Sequence, residues 1–368
     1  MIKRLYIHNF GCLVNFELPL GDQSSSLLIG KNGSGKSTIG CVLEVLRQIG
    51  QGNNQIRNLI NPRNMTYWLR DQPVRIELET VIDGVQYDYR LALEFPEGFH
   101  ELRVKSESFS VDGERKFTRE IAEIEFPRPN RDAATMSFDW HLVWLSVAQA
   151  RSEHDPVDIF RKWLSRMLIL SPVPRDIHGD SSEETLAPHK DLSNLGDWWN
   201  GLIAHSPASY APIASALRLM LPDMSDIKNP VIAKESRSLE VHFDHGGNKV
   251  VLPLRVLSDG EKCMLIWAMV MAANEAYGPL FCFWDEPDNY VAISEIGDFA
   301  MDLRKAFKKG GQFMATSHNS ETIRSFSDEN TYVLFRRHHR EPTLIRPLAE
   351  LSYGKDLIGA LVRGDIEP

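Results

Sequence analysis

The sequence predicts an α/β fold with a parallel-sheet lobe, an antiparallel β lobe and a helical insertion. Three observations carry this. From Asp259 to Ala315, helix-spaced apolar stretches alternate with short apolar strands, the order that builds a parallel sheet. Val74 to Phe117 instead alternates with period two around Asp83-Gly84 and Asp112-Gly113, a hairpin pattern. Between Pro156 and Leu221, apolar residues recur at helical spacing.

In order, Leu5 to Pro19 reads as two short strands broken near Gly11. Ser26-Leu27-Leu28-Ile29 is an apolar strand running into a glycine-rich turn. A helix follows from about Lys36 to Ile49, with Ile39, Val42, Leu43 and Leu46 on one face. Gln51 to Arg70 is polar and reads as a loop. Val74 to Glu79 and Tyr87 to Phe95 form one hairpin, and His100 to Phe117 another. Pro156 to Leu170 carries Ile159, Phe160, Trp163, Leu164 and Met167 as an amphipathic helix; Leu195 to Ala204 and Tyr210 to Leu221 are also helical. Ser171 to His189, rich in Pro and Asp, reads as a mobile linker. Strands at Leu239 to Phe243 and Lys249 to Leu252 flank the turn His245-Gly246-Gly247-Asn248. Then come helix Asp259 to Tyr277, strand Leu280 to Trp284, helix Ser294 to Phe307 and strand Gln312 to Ala315. The expected limits are 1–150 for an N-terminal lobe with the β region, 151–235 for the insertion and 236–368 for a C-terminal lobe.

Composition excludes several classes. With 43% hydrophobic and 25% charged residues, the 368-residue chain is globular in character. A net charge of −9 advertises no globally basic nucleic-acid face. Cys12, Cys41, Cys263 and Cys282 form no CxxC pair and are expected as buried thiols in a reducing compartment. No apolar run approaches the ~18 residues that span a bilayer, and the start, Met1-Ile2-Lys3-Arg4, lacks a signal peptide's apolar middle. A cytoplasmic protein without a membrane partner is expected.

Four motifs carry chemistry. Gly30-Lys31-Asn32-Gly33-Ser34-Gly35-Lys36-Ser37 fits GxxxxGK[ST], between an apolar strand and a helix. Its glycines let backbone N–H groups, with Asn32, Ser34 and the following Thr38, surround ATP phosphates. Lys36 reaches the terminal phosphates and Ser37 ligates Mg²⁺. Phe281-Cys282-Phe283-Trp284 delivers Asp285 and Glu286 at a strand end, one carboxylate for Mg²⁺ and one to polarise the attacking water. Leu257-Ser258-Asp259-Gly260-Glu261-Lys262 opens a helix whose free N–H groups suit a γ-phosphate, although Ser258 would also cap any helix. Thr316-Ser317-His318 ends the next strand.

With these four elements in order, the chain resembles the ABC-type ATPases of the SMC, RecF and OLD group, and most of all the compact AAA_21-type proteins of prokaryotic defence loci. The resemblance covers residues 1 to about 50 and about 250 to 330, and includes the opening Ile7-His8-Asn9-Phe10. It implies a P-loop NTPase with an ABC head and a RecA-like lobe. His318 becomes the histidine that contacts the γ-phosphate, and Ser258, Gly260 and Glu261 become a signature completing a partner's ATP site. Asp285-Glu286-Pro287-Asp288-Asn289-Tyr290 resembles the RecF and OLD form rather than transporter subunits, which places Asp288 and Asn289 in a loop crossing to the partner. The chain has Glu261 where transporters usually carry Gln, and Gly11 where relatives often carry Arg. Gln149 is the best-placed glutamine-loop candidate, a plain surface glutamine being the alternative.

The P-loop and signature lie about 220 residues apart without sustained heptads, and about 50 residues follow His318. The expected function is an ATP hydrolase that closes as a homodimer on ATP and reopens on hydrolysis, using ATP and Mg²⁺. Its expected output is control of a separate effector, such as a nuclease, in a defence or toxin–antitoxin-like system. The alternative is a RecF-like DNA-binding repair ATPase. Nucleic acid enters through the basic run Arg336-Arg337-His338-His339-Arg340, otherwise a solvated turn. Trp163, Trp198 and Trp199 offer anchors for an effector if exposed, or core packing if not.

Overall fold

The computed structural model describes residues 1–351 apart from positions 70, 151 and 327. Arg70, the expected end of the first loop, therefore lies outside the described residues, as does the tail of the expected C-terminal lobe. The chain forms two compact units. One comprises Met1–Met167 with the residues from Asp328 on; the other is Leu168–Ser327.

In the first unit, eight strands form one antiparallel sheet. Their order is Phe16–Pro19, Ile2–His8, Val74–Ile82, Val85–Glu94, Arg103–Val111, Glu114–Glu120, Glu123–Arg128 and Arg131–Ser137. The two expected hairpin turns form where Asp83-Gly84 and Asp112-Gly113 adopt positive φ, as two-residue turns demand. The last two strands are unexpected. Their outward residues are charged or exposed, so they show little apolar alternation. Tyr87, Phe109 and Phe117 present an aromatic face on which Phe160 stacks. This fixes helix Pro156–Ser165 on the sheet. The same helix packs against helix Lys36–Gly50, where a Cβ at Gly50 would come within 2.6 Å of Leu164 and Ser165. Strand Ser25–Ile29, buried throughout, runs parallel to Thr331–Phe335, which pairs antiparallel with Leu344–Pro347.

In the second unit, Leu168–Leu170, Phe281–Trp284 and Gln312–Thr316 form parallel neighbours in register, Leu170 beside Trp284 and Trp284 beside Ala315. All three strands are fully buried, so they read as continuous apolar runs rather than alternating ones. Helices Asp259–Tyr277 and Ile293–Lys308 supply the crossovers. Leu168–Leu170 was expected as the end of a helix; the chain instead leaves helix Pro156–Ser165 and enters the sheet.

One further expectation is corrected. Ser171 to His189 is ordered, not a loose linker. Ser171 and Val173 N–H donate to the Lys190 and Asp191 carbonyls; Asp180–Ser181 pairs with Ser236–Ser238; Ser182 and Glu183 N–H both donate to Asp197. Of the two readings given for the tryptophans, core packing holds for Trp198 and Trp199, whereas Trp163 is half-buried. Trp198 and Trp199 are buried, Trp198 Nε1 donates to Tyr277 Oη, and Trp163 stacks on Phe160. Cys12, Cys263 and Cys282 are buried thiols as expected, whereas Cys41 is half-buried. Burial pushes the Cys263 thiol up to about 12 and the Cys282 thiol also upward.

Candidate functional site

The P-loop half belongs to the first unit. Gly30, Gly33 and Gly35 all have positive φ, a region that side chains with a Cβ avoid. Helix Lys36–Gly50 then starts on Gly35 with no side-chain cap, which leaves its first N–H groups for a ligand. Lys31, Asn32, Gly33 and Ser37 are exposed, and Thr38 is half-buried. Lys36 is buried and curls back over the loop, Nζ donating to Gly30 O at 2.8 Å and to Lys31 O at 3.4 Å. Ser34 Oγ is buried without a hydrogen-bond partner. An orphaned hydroxyl, uncapped N–H groups and a lysine held over them fit a polyphosphate.

Three residues outside the motif, Gly11, Cys12 and Thr343, approach this loop. Thr343 Oγ1 donates to Ser34 O at 2.8 Å, and Thr343 N–H donates to Cys12 O. A Cβ at Gly35 would stand 2.8 Å from Cys12 Sγ. Gly11 has φ +59° and its virtual Cβ would meet the Thr38 methyl at 2.9 Å. That close approach and the positive φ suit glycine at this position. Asn9 is fully buried; its amide donates to the Leu69 and Gln72 carbonyls and accepts from Thr66 N–H. Asn9 thus ties the opening segment to residues 66–72.

Gln149 lies exposed in the loop after helix Trp144–Val147. That short helix is set on a buried pair. Glu107 accepts from Trp144 N–H, Leu145 N–H and Tyr89 Oη, and lies 3.5 Å from Arg119. Burial raises the Glu107 pKa and lowers that of Arg119.

The carboxylate half belongs to the second unit. Asp285 Oδ1 accepts from Thr316 Oγ1 at 2.6 Å, and Thr316 Oγ1 accepts from Glu286 N–H at 2.9 Å. One buried hydroxyl therefore registers both acids. Glu286 has φ +51°, an uncommon state for a residue with a side chain. Its Oε1 lies 3.1 Å from His318 Nε2 and its Oε2 accepts from Asn289 Nδ2 at 2.6 Å. Ser171, Cys263, Asp285, Glu286 and Asn289 help line a cleft of about 60 Å³. In the loop expected to cross to a partner, Asn289 is exposed, while the Asp288 side chain is buried and accepts from Ser317 Oγ and Thr322 Oγ1.

The signature begins helix Asp259–Tyr277 and forms a reciprocal cap. Ser258 Oγ accepts from Glu261 N–H at 3.3 Å, while Glu261 Oε2 accepts from Ser258 N–H and Oγ, each at 2.7 Å. A Cβ at Gly260 would lie 2.8 Å from Tyr290 O, so glycine is required by the loop after the acids. Lys262, buried, donates to Pro174 O at 2.8 Å. Arg336–Arg340 forms the turn expected between the two last strands, with Arg336 donating to Glu341 O. Among the described residues, no helix is long and apolar enough to cross a membrane.

A glycine loop of this form, a strand ending in two acids and a capped signature helix define an ABC-type P-loop ATPase head. The chain belongs to the AAA_21 family, described as "AAA domain, putative AbiEii toxin, Type IV TA system", whose model matches residues 25–324. Its fold is similar to solved Smc heads. One is the Smc head bound to the C-terminal winged-helix domain of ScpA, with 17% identity, 94% of this chain and 98% of that one covered, and a TM-score of 0.55. Another is the Smc head with an extended coiled coil bound to the C-terminal domain of ScpA from Pyrococcus furiosus, with 14% identity, 95% and 97% covered, and a TM-score of 0.55. No curated protein matches the chain.

Proposed function

We propose that this ATPase hydrolyses ATP with Glu286 acting on the attacking water, and that ATP binding closes a homodimer which hydrolysis reopens. The observation that carries the chemistry is the Thr316-registered pair Asp285 and Glu286, with His318 against Glu286. In this reading Lys36 and the loop N–H groups of residues 30–38 hold the phosphates, with Asn32, Ser34 and Thr38 alongside. Ser37 and Asp285 hold Mg²⁺, which neutralises phosphate charge when bound. Glu286 exchanges His318 or Asn289 for water and orients it. Gln149 senses the same phosphates. Ser258, Gly260 and Glu261 serve the partner's nucleotide through the helix N-terminus.

The biological output is proposed as nucleotide-dependent control of a separate effector in a cytoplasmic defence or toxin–antitoxin system. The family description, which names a toxin of such a system, supports this over the repair-ATPase reading. The burial of Trp198 and Trp199 removes them as docking anchors.

The direct test compares two variants. Lys36→Ala should lose ATP binding. Glu286→Gln should bind ATP with near wild-type affinity and turn it over ~100-fold more slowly or worse, the range for a lost general base. Radiolabelled ATP turnover near the wild-type rate in Glu286→Gln would remove Glu286 from this role.

A further inference from the structure

We infer that Asp288 is a positioning residue for hydrolysis, holding His318 against Glu286 through the Ser317 hydroxyl; this rests on the reading of Glu286 given above. Asp288 is 5% exposed and sits two residues after Glu286. Its Oδ2 accepts from Ser317 Oγ and Thr322 Oγ1. Ser317 Oγ also accepts from Asn319 N–H at 2.9 Å. Both chain neighbours of His318 are therefore tied to one hydroxyl, and that hydroxyl to one buried carboxylate. The circuit closes through His318 Nε2, 3.1 Å from Glu286 Oε1. It runs Glu286, Asp288, Ser317, His318 and back to Glu286.

The physical logic is rigidity. His318 is 41% exposed at its side chain and Glu286 31%, so packing covers only part of either side chain. A buried carboxylate with two hydroxyl donors makes strong hydrogen bonds and fixes the backbone on either side of the imidazole. Thr322 ties the same carboxylate to helix Ser320–Arg324, whose N-terminus Asn319 caps. The Asp288 carboxylate thus acts on the turn and touches no phosphate-binding residue.

The test measures ATP turnover, half-saturating ATP and thermal unfolding for Asp288→Ala, Asp288→Asn, Ser317→Ala and Thr322→Val in the full chain. Asp288→Ala and Ser317→Ala should lower maximal turnover ~10- to 100-fold, the cost of a misplaced reacting group, with half-saturating ATP little changed. Asp288→Asn, which keeps an acceptor oxygen, should restore most of it. Thr322→Val should lower the unfolding temperature and leave turnover near wild type. The His318 imidazole resonance, identified by its loss in His318→Asn, should shift in Ser317→Ala. If Asp288→Ala does not fold, Ser317→Ala carries the test. Folded Ser317→Ala with full turnover and an unmoved His318 resonance overturns the proposal. So does an equal loss in Thr322→Val, which would mark general packing. Glu286→Gln, measured beside them, separates the two readings: full turnover there faults Glu286, whereas a dead Glu286→Gln with fully active Asp288 and Ser317 variants faults only Asp288.

Discussion

Gly30 leaves the phosphate loop almost no latitude. Its φ is +149° and a Cβ there would stand 2.1 Å from Leu334 O, a backbone atom. The clash cannot be relieved by turning a side chain, so Gly30→Ala must move either the loop or strand Thr331–Phe335. A backbone position of this kind costs on the order of 1–3 kcal/mol when forced. We expect Gly30→Ala to weaken ATP binding ~10-fold or more, since ~1.4 kcal/mol already corresponds to tenfold. Titration with a fluorescent ATP analogue measures it, and unchanged affinity would show that the loop's shape does not depend on this glycine. Glu286 carries the same kind of constraint with a side chain attached, at φ +51°. Thr316 Oγ1 and Asn289 hold it there.

The signature helix serves two demands with one residue. Ser258 caps helix Asp259–Tyr277 in a reciprocal bond with Glu261, and the proposed function also asks its hydroxyl to face a partner's phosphate. Ser258→Asp separates the two. Aspartate is as good a cap as serine but cannot replace the Ser258 Oγ donation to Glu261, so thermal unfolding should fall modestly while the helix stays capped, and its charge would repel a γ-phosphate. Turnover should fall ~10-fold or more while the P-loop still binds ATP; retained turnover would leave Ser258 as a cap alone. The glycine loop, the acidic strand end and the long helices were readable because each is a contiguous pattern with one local cause. What was not readable depends on contacts distant in sequence. Asp288 looks like an outward loop residue until Ser317 and Thr322 are placed beside it. Thr316 is an ordinary strand end until its hydroxyl meets the Asp285 carboxylate and the Glu286 N–H. Ser171 to His189 has linker composition but is ordered by hydrogen bonds to Lys190, Asp191 and Asp197. Met167-Leu168-Ile169-Leu170 is too short an apolar run for periodicity to separate helix from strand.

For the whole molecule, the question is whether hydrolysis needs two chains. The P-loop belongs to one compact unit and the two acids and signature to the other, and the proposed reading assigns each signature to the partner's nucleotide. Lys36→Ala disables a chain's own phosphate loop but leaves its signature intact. Ser258→Arg leaves the phosphate loop intact and puts a large side chain at the signature. Each variant alone should hydrolyse no ATP. Mixed in equal amounts, exchanging subunits form half their dimers as hybrids, and each hybrid keeps one intact site of two. Activity should therefore return to about a quarter of wild type, as expected for a two-fold symmetric dimer with independent sites. Turnover that is first order in chain concentration, with no recovery on mixing although exchange is shown by a fluorescence assay, would mean that one chain completes its own site and that closure is not part of the chemistry.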